Sequence, residues 1–169
     1  MRVFLFIAIL GLCLISCSRT VYVVRHAEKL TSSDNGSKMM EDDPPLSEAG
    51  KVRALVLKDE LSGKHIRHIY STNTVRTRAT AEPLSQAIKI NIETYKNIDS
   101  LVGVLKSIKG NALVIGHSNT VDDIVNKLCG QVKVEADLKD GEYDNLFIVR
   151  IKGKKILLER HKYGYPSNP

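Results

Sequence analysis

The run Val21-Tyr22-Val23-Val24, followed at once by Arg25-His26, constrains this chain more than any other stretch. Four apolar, mostly β-branched residues suit a strand buried on both faces. Burying an unpaired charge is costly, so such a strand has to end where the arginine begins. Arg25 and His26 are therefore expected at its C-terminal edge, which in open α/β sheets is the edge where ligands bind.

The rest of the chain alternates strand and helix patterns. Ser47 and Glu48 open a helix as N-cap and first-turn acid, with Val52, Leu55, Val56 and Leu61 as its expected apolar face and Gly63 at its end. A short strand is expected from His65 to Tyr70. A helix follows from Val75 to Ile88, kinked or broken at Pro83. Residues 89–95 read as a third strand. Asp99 reads as the N-cap of a helix over residues 100–108, with Leu101, Val104, Leu105 and Ile108 facing inward. Ala112-Leu113-Val114-Ile115 is a second fully apolar strand, ending at Gly116-His117-Ser118-Asn119, and a helix to Leu128 follows it. Residues 132–134 are expected to be extended. Residues 146–151 and 155–160 pair as a hairpin across Lys152-Gly153, and residues 163–169 read as a loose tail. This alternation argues an α/β layered fold with a mainly parallel sheet and an antiparallel edge. Residues 30–45 are polar and without periodicity, a loop long enough to act as a lid over Arg25-His26.

The N-terminus reads as a processing signal. Arg2 precedes an apolar run from Val3 to Ile15, shorter than the roughly 20 residues a membrane span needs. Leu14-Ile15-Ser16-Cys17 resembles a bacterial lipobox. The resemblance implies removal of residues 1–16, lipid on Cys17, and an exported protein anchored at the cell envelope, facing the periplasm. Cys13 would leave with the signal, so Cys129 would remain as a lone thiol with no intrachain disulfide available. The formal charge of +6 suits an anionic membrane surface or anionic substrates. A nucleic-acid partner is disfavoured, because the basic residues form no arm or aromatic stripe and the chain has no Trp.

Three strand-to-helix junctions fall on one sheet edge. They carry Arg25 and His26, then Ser71 and Arg76, then His117 with Ser118 and Asn119. Two histidines and two arginines without a cysteine make a poor metal site and a good phosphate site. Two helix N-termini add anion-binding amides.

These blocks (Val24 to Lys29, Pro45 to Gly50, Tyr70 to Glu82, and Val114 to Thr120) resemble, in order, those of the histidine phosphatase superfamily, also called the phosphoglycerate mutase-like family. The resemblance implies a three-layer α/β/α sandwich over residues 19–162. It also implies catalysis without a cofactor or metal. His26 is then the nucleophile that becomes a phosphohistidine. Arg25, Arg76 and His117 hold the phosphoryl oxygens, Asn119 lies in the substrate pocket, and the substrate is a small phosphorylated molecule or a phosphohistidine. Phosphoglycerate mutase activity and a non-catalytic phospho-ligand module are the alternatives. The carboxylate that serves as proton donor in many members has no match near residues 95–99, so Glu28 is the candidate acid.

Overall fold

The computed structural model describes residues 18–31 and 42–167. The signal segment with Cys13 and Cys17, and the middle of the 30–45 loop, lie outside the described residues.

Among the described residues a six-stranded sheet is flanked by four helices. The strands are β1 (Ser18–Arg25), β2 (Ile66–Ser71), β3 (Ile92–Thr94), β4 (Asn111–Gly116), β5 (Asn145–Lys152) and β6 (Lys155–Lys162). The helices are α1 (Glu48–Leu61), α2 (Val75–Ile88), α3 (Ile98–Ser107) and α4 (Val121–Cys129). The sheet order is β3-β2-β4-β1-β5-β6. The four strands from β3 to β1 run parallel, and β5 and β6 add an antiparallel edge.

The central strands are buried on both faces because their side chains alternate between two cores. Val21, Val23, Ala112 and Val114 pack with α3 and α4 through Leu101, Leu105, Ile124 and Leu128. Tyr22, Val24, Leu113 and Ile115 pack with α1 and α2 through Leu57, Leu61, Ala81 and Leu84. β1 and β4 are neighbours, yet the helices that follow them cover opposite faces. Their C-terminal ends therefore form the crevice where such sheets take ligands. Register places Arg25 opposite Gly116, and the His26 amide donates to the Gly116 carbonyl at 2.9 Å, which locks the two histidine-bearing junctions side by side.

Several local expectations are corrected. Ser47 does cap α1, its hydroxyl accepting from the Gly50 amide at 3.1 Å. The buried stripe of that helix, however, is Gly50, Arg53, Ala54, Leu57 and Leu61, while Val52 and Leu55 are exposed. A charged residue sits on the inner face because Arg53 meets the half-buried carboxylate of Glu28 there. Its Nε and Nη2 donate to the Glu28 carboxylate at 2.7–2.9 Å. The same guanidinium donates to the carbonyls of Tyr163 and Tyr165. Those bonds overturn the expected loose tail, at least through Ser167. Tyr163 is buried, and Ser167 is bonded to Tyr143 and Asp144.

Elsewhere, α2 runs unbroken through Pro83. β3 shrinks to three residues. Asn97, not Asp99, caps α3, and Asp99 pairs with Lys127 across to α4. On α3 Val102 is buried and Val104 is exposed. Residues 132–134 form no strand, because Asn126 takes the amides of Lys133 and Val134. In the hairpin Lys152 pairs with Lys155, so the two turn residues are Gly153, at φ +57°, and Lys154.

Gly50 shows how tightly α1 is fitted to the strand end. A Cβ there would lie 2.2 Å from the Glu28 carbonyl oxygen, a backbone atom that cannot swing aside. Gly50→Ala is expected to cost about 2–3 kcal/mol of folding stability, read as a lower urea midpoint with an unchanged m-value. A midpoint equal to wild type would contradict this packing.

Candidate active site

The site is built at the ends of β1, β2 and β4. His26 is the first residue beyond β1 and is 3% exposed. Its Nδ1 lies 2.8 Å from the Ala27 carbonyl, which can only accept, so Nδ1 carries the proton and Nε2 keeps its lone pair. The Ala27 amide donates to Thr80 Oγ1 at 2.9 Å, which pins this short segment to α2. Burial pushes the His26 imidazole down to about 3, and the nearby Arg25, His117 and Arg76 act in the same direction against the Ala27 hydrogen bond. His26 is thus a neutral ring with one unprotonated nitrogen at ordinary pH.

Arg76, in the first turn of α2, aims Nε at His26 Nε2 at 3.3 Å. Its Nη1 donates to Asp43 at 3.0 Å. His117 lies across the crevice with its ring centroid 5.4 Å from that of His26, edge to face. His117 Nε2 is 2.9 Å from Thr72 Oγ1, and burial, Arg76 and Arg25 hold its imidazole below the usual range. The Thr120 hydroxyl accepts from the His117 amide at 2.8 Å and so shapes the turn that presents the ring.

Arg25 is 2% exposed and is gripped by the segment before β5. Nη1 donates to the carbonyls of Lys139 and Asp140, both at 2.8 Å. Nη2 donates to Asp140 Oδ1 at 3.1 Å and to the Tyr143 hydroxyl at 3.4 Å. The guanidinium lies 4.1 Å from the Tyr143 ring centroid, a cation–π contact, and that ring also leans on His26. Arg25 Nε is buried without a partner. A buried donor left unmade is costly unless something else takes it, and in this crevice an anion would.

The four residues singled out at the junctions, Arg25, His26, Arg76 and His117, therefore meet in one crevice. Asn119 is exposed on the turn between β4 and α4. Glu28 is not placed as an acid: the Arg53 guanidinium holds both of its carboxylate oxygens. Three site neighbours were not legible in the sequence. Asp43 stood in an aperiodic loop, Tyr143 in an acidic connection, and Thr72 in a polar turn. Only their proximity in space identifies them. No cluster of His, Cys, Asp and Glu among the described residues has the geometry to hold a metal ion.

The comparisons agree with this geometry. Residues 21–101 match the histidine phosphatase superfamily (branch 1). A curated relative from Citrobacter koseri, named "Probable phosphoglycerate mutase GpmB", is 29% identical over 123 residues, 72% of this chain and 54% of its own. The chain thus spans about half the length of that relative. Among solved structures, the protein histidine phosphatase SixA complexed with tungstate superposes with a TM-score of 0.67 at 15% identity, over 85% of this chain and 96% of its own. A mycobacterial glucosyl-3-phosphoglycerate phosphatase does so at 0.60 and 12%, over 86% and 98%. At such identities the two structures share the fold. The matched segment runs from the first core strand through both arginine-bearing junctions, and over it the chain is similar to the histidine phosphatase superfamily.

Proposed function

We propose that the protein is a phosphatase that transfers a phosphoryl group to His26 and then to water, with a phosphomonoester or phosphoamidate as substrate. The observation that carries this reading is the unprotonated Nε2 of a neutral His26, whose lone pair faces the crevice and accepts from Arg76 Nε at 3.3 Å, a donor that an incoming phosphoryl group would take over. Nε2 attacks phosphorus as the bond to the leaving group breaks. Water then attacks phosphorus, the N–P bond breaks, and inorganic phosphate leaves. Phosphoryl transfer asks mainly for positioning and charge stabilisation. Arg25, Arg76 and His117 supply donors around the point of attack.

The leaving group sets the substrate class. An alkoxide needs a proton from the protein. Among the described residues, three carboxylates around this crevice are paired with arginines: Glu28 with Arg53, Asp43 with Arg76, and Asp140 with Arg25. A site whose acids are engaged in this way suits a group that departs without protein help, such as the imidazole of a phosphohistidine or another activated phosphate. SixA, with which this fold superposes, is described as a protein histidine phosphatase.

His26→Ala is expected to lower phosphatase turnover by at least about 10³-fold; undiminished turnover would overturn the assignment. Glu28→Gln is expected to slow alkyl and aryl phosphate hydrolysis by the same factor, since it acts through the scaffold. A loss confined to the alkyl substrate would make Glu28 the acid after all.

The His26 ring is expected to remain the neutral Nδ1–H tautomer at pH 5 in ¹⁵N-resolved NMR spectra, and a ring titrating near 6.5 would contradict its environment. Because the folded value lies below the unfolded one, this ring contributes stability that is complete above pH 6.5 and is lost as the pH falls toward about 3. The slope is roughly 1.4 kcal/mol per pH unit, and His26→Gln is expected to remove it from the acid limb of the stability curve.

The lipobox-like stretch supports a lipid anchor on Cys17 that would hold the protein at a membrane. That β1 begins at Ser18 supports a domain seated directly on the anchor. Cys17→Ser is expected to move the protein from the detergent phase to the aqueous phase on partitioning. An aqueous wild type would contradict the anchor.

A further inference from the structure

We propose that Asp43 is the positioning residue that sets Arg76 against the nucleophile. This inference rests on the phosphatase reading and adds a role for the loop between β1 and α1.

The placement of Asp43 begins with a strap. The Leu30 amide donates to the Pro45 carbonyl at 2.8 Å, and the Ser47 amide donates to the Glu28 carbonyl at 2.9 Å. Between them Lys29 and Leu46 form an antiparallel bridge. The segment leaving His26 is thus clamped to the segment entering α1. Asp43 stands just before it, where Pro44 and Pro45 restrict the backbone. The strap fixes the place at which Asp43 emerges, two residues ahead of its first bond.

Across the crevice, α2 starts with an unfilled cap. Thr74 is the N-cap, but its hydroxyl makes no capping bond and instead contacts Thr77 Oγ1 at 2.7 Å. Asp43 fills the vacancy from a distance, with Oδ2 accepting from the Val75 amide at 2.8 Å. Its other oxygen, Oδ1, accepts from Arg76 Nη1 at 3.0 Å. One carboxylate therefore holds the helix N-terminus and one end of the guanidinium together. A planar guanidinium held at Nη1 and anchored at its Cα has little rotation left, and in this setting Nε faces His26 Nε2. Both carboxylate oxygens of Asp43 are thus engaged by Val75 and Arg76, and its charge also pulls the His117 imidazole upward against the arginines.

The carboxylate also carries a charge beside the position an incoming phosphoryl group takes. It therefore opposes binding of the phosphate dianion while it orders the donor that stabilises the transition state. Those two effects have opposite signs, which separates them from simple loss of structure. Asp43→Asn keeps an oxygen for the Val75 amide, removes the charge, and presents an amide to Arg76 that cannot hold the fork as firmly.

The test is a double-mutant cycle of Asp43→Asn with Arg76→Ala on an activated phosphate substrate. It is followed as steady-state turnover and as the rate of His26 phosphorylation, with inorganic phosphate inhibition measured alongside. Asp43→Asn is expected to lower kcat about tenfold, with phosphate inhibition equal to or tighter than wild type. In the Arg76→Ala background the same change is expected to alter the rate by less than about twofold. A kcat within about twofold of wild type, or a full tenfold loss repeated without Arg76, would overturn the proposal. So would weaker phosphate inhibition that tracks the loss of kcat, as expected of a residue that only caps α2. A wild type without turnover would contradict the phosphatase reading and this role together. An active wild type matched by its Asp43 variant would contradict this role alone.

Discussion

The parallel pairing of β1 with β4 is the constraint on which the site depends. It runs from Val21 and Ala112 to Arg25 and Gly116, and the His26 amide closes it on the Gly116 carbonyl. Two apolar strands that sit side by side and send their helices to opposite faces must leave an open crevice at their ends. The two histidines follow those strands directly, so the hydrophobic pairing of the core fixes the spacing of the polar site. Burial then sets its chemistry. The Ala27 carbonyl chooses the His26 tautomer, and the low polarity around the ring keeps it unprotonated.

Around this centre each arginine has an assigned carboxylate. Arg53 and Glu28 form a largely buried pair that joins β1's exit, α1 and the C-terminal segment, with Tyr163 and Tyr165 accepting the remaining donors. Losing one partner of a buried pair is far costlier than exchanging the pair for apolar groups. This pair therefore reads as a device that specifies how three segments meet. Arg25 with Asp140 and Arg76 with Asp43 are looser, more exposed versions at the site itself. There the carboxylates orient donors that a phosphoryl group would share.

What the sequence disclosed was what short-range physics controls. Val21 to Val24 and Ala112 to Ile115 can be little other than buried strands, and the charged residues that follow them mark the edge. Ser47 was readable as a cap because its acceptor and donor lie three residues apart. The inner face of α1 was misread because Gly50 and Arg53 occupy it. Their reasons, a carbonyl at contact distance and a half-buried carboxylate, come from Glu28, more than 20 residues away. Asp43 and Tyr143 were invisible for the same reason, since a loop aspartate or tyrosine carries no periodicity and gains its meaning only from what it meets. The pairing of Glu28 with Arg53 was invisible in the same way, since the two stand 25 residues apart.

With Nδ1 spent on the Ala27 carbonyl, Nε2 is the nitrogen through which the proposed nucleophile His26 would act. Rapid quenching of the protein with an activated phosphate substrate, followed by ³¹P NMR and peptide mapping, reads both the residue and the ring nitrogen. An acid-labile, base-stable phosphoryl group on His26 bonded to Nε2 is the expected result. A phosphoryl group on Nδ1, or on any residue other than His26, would contradict it.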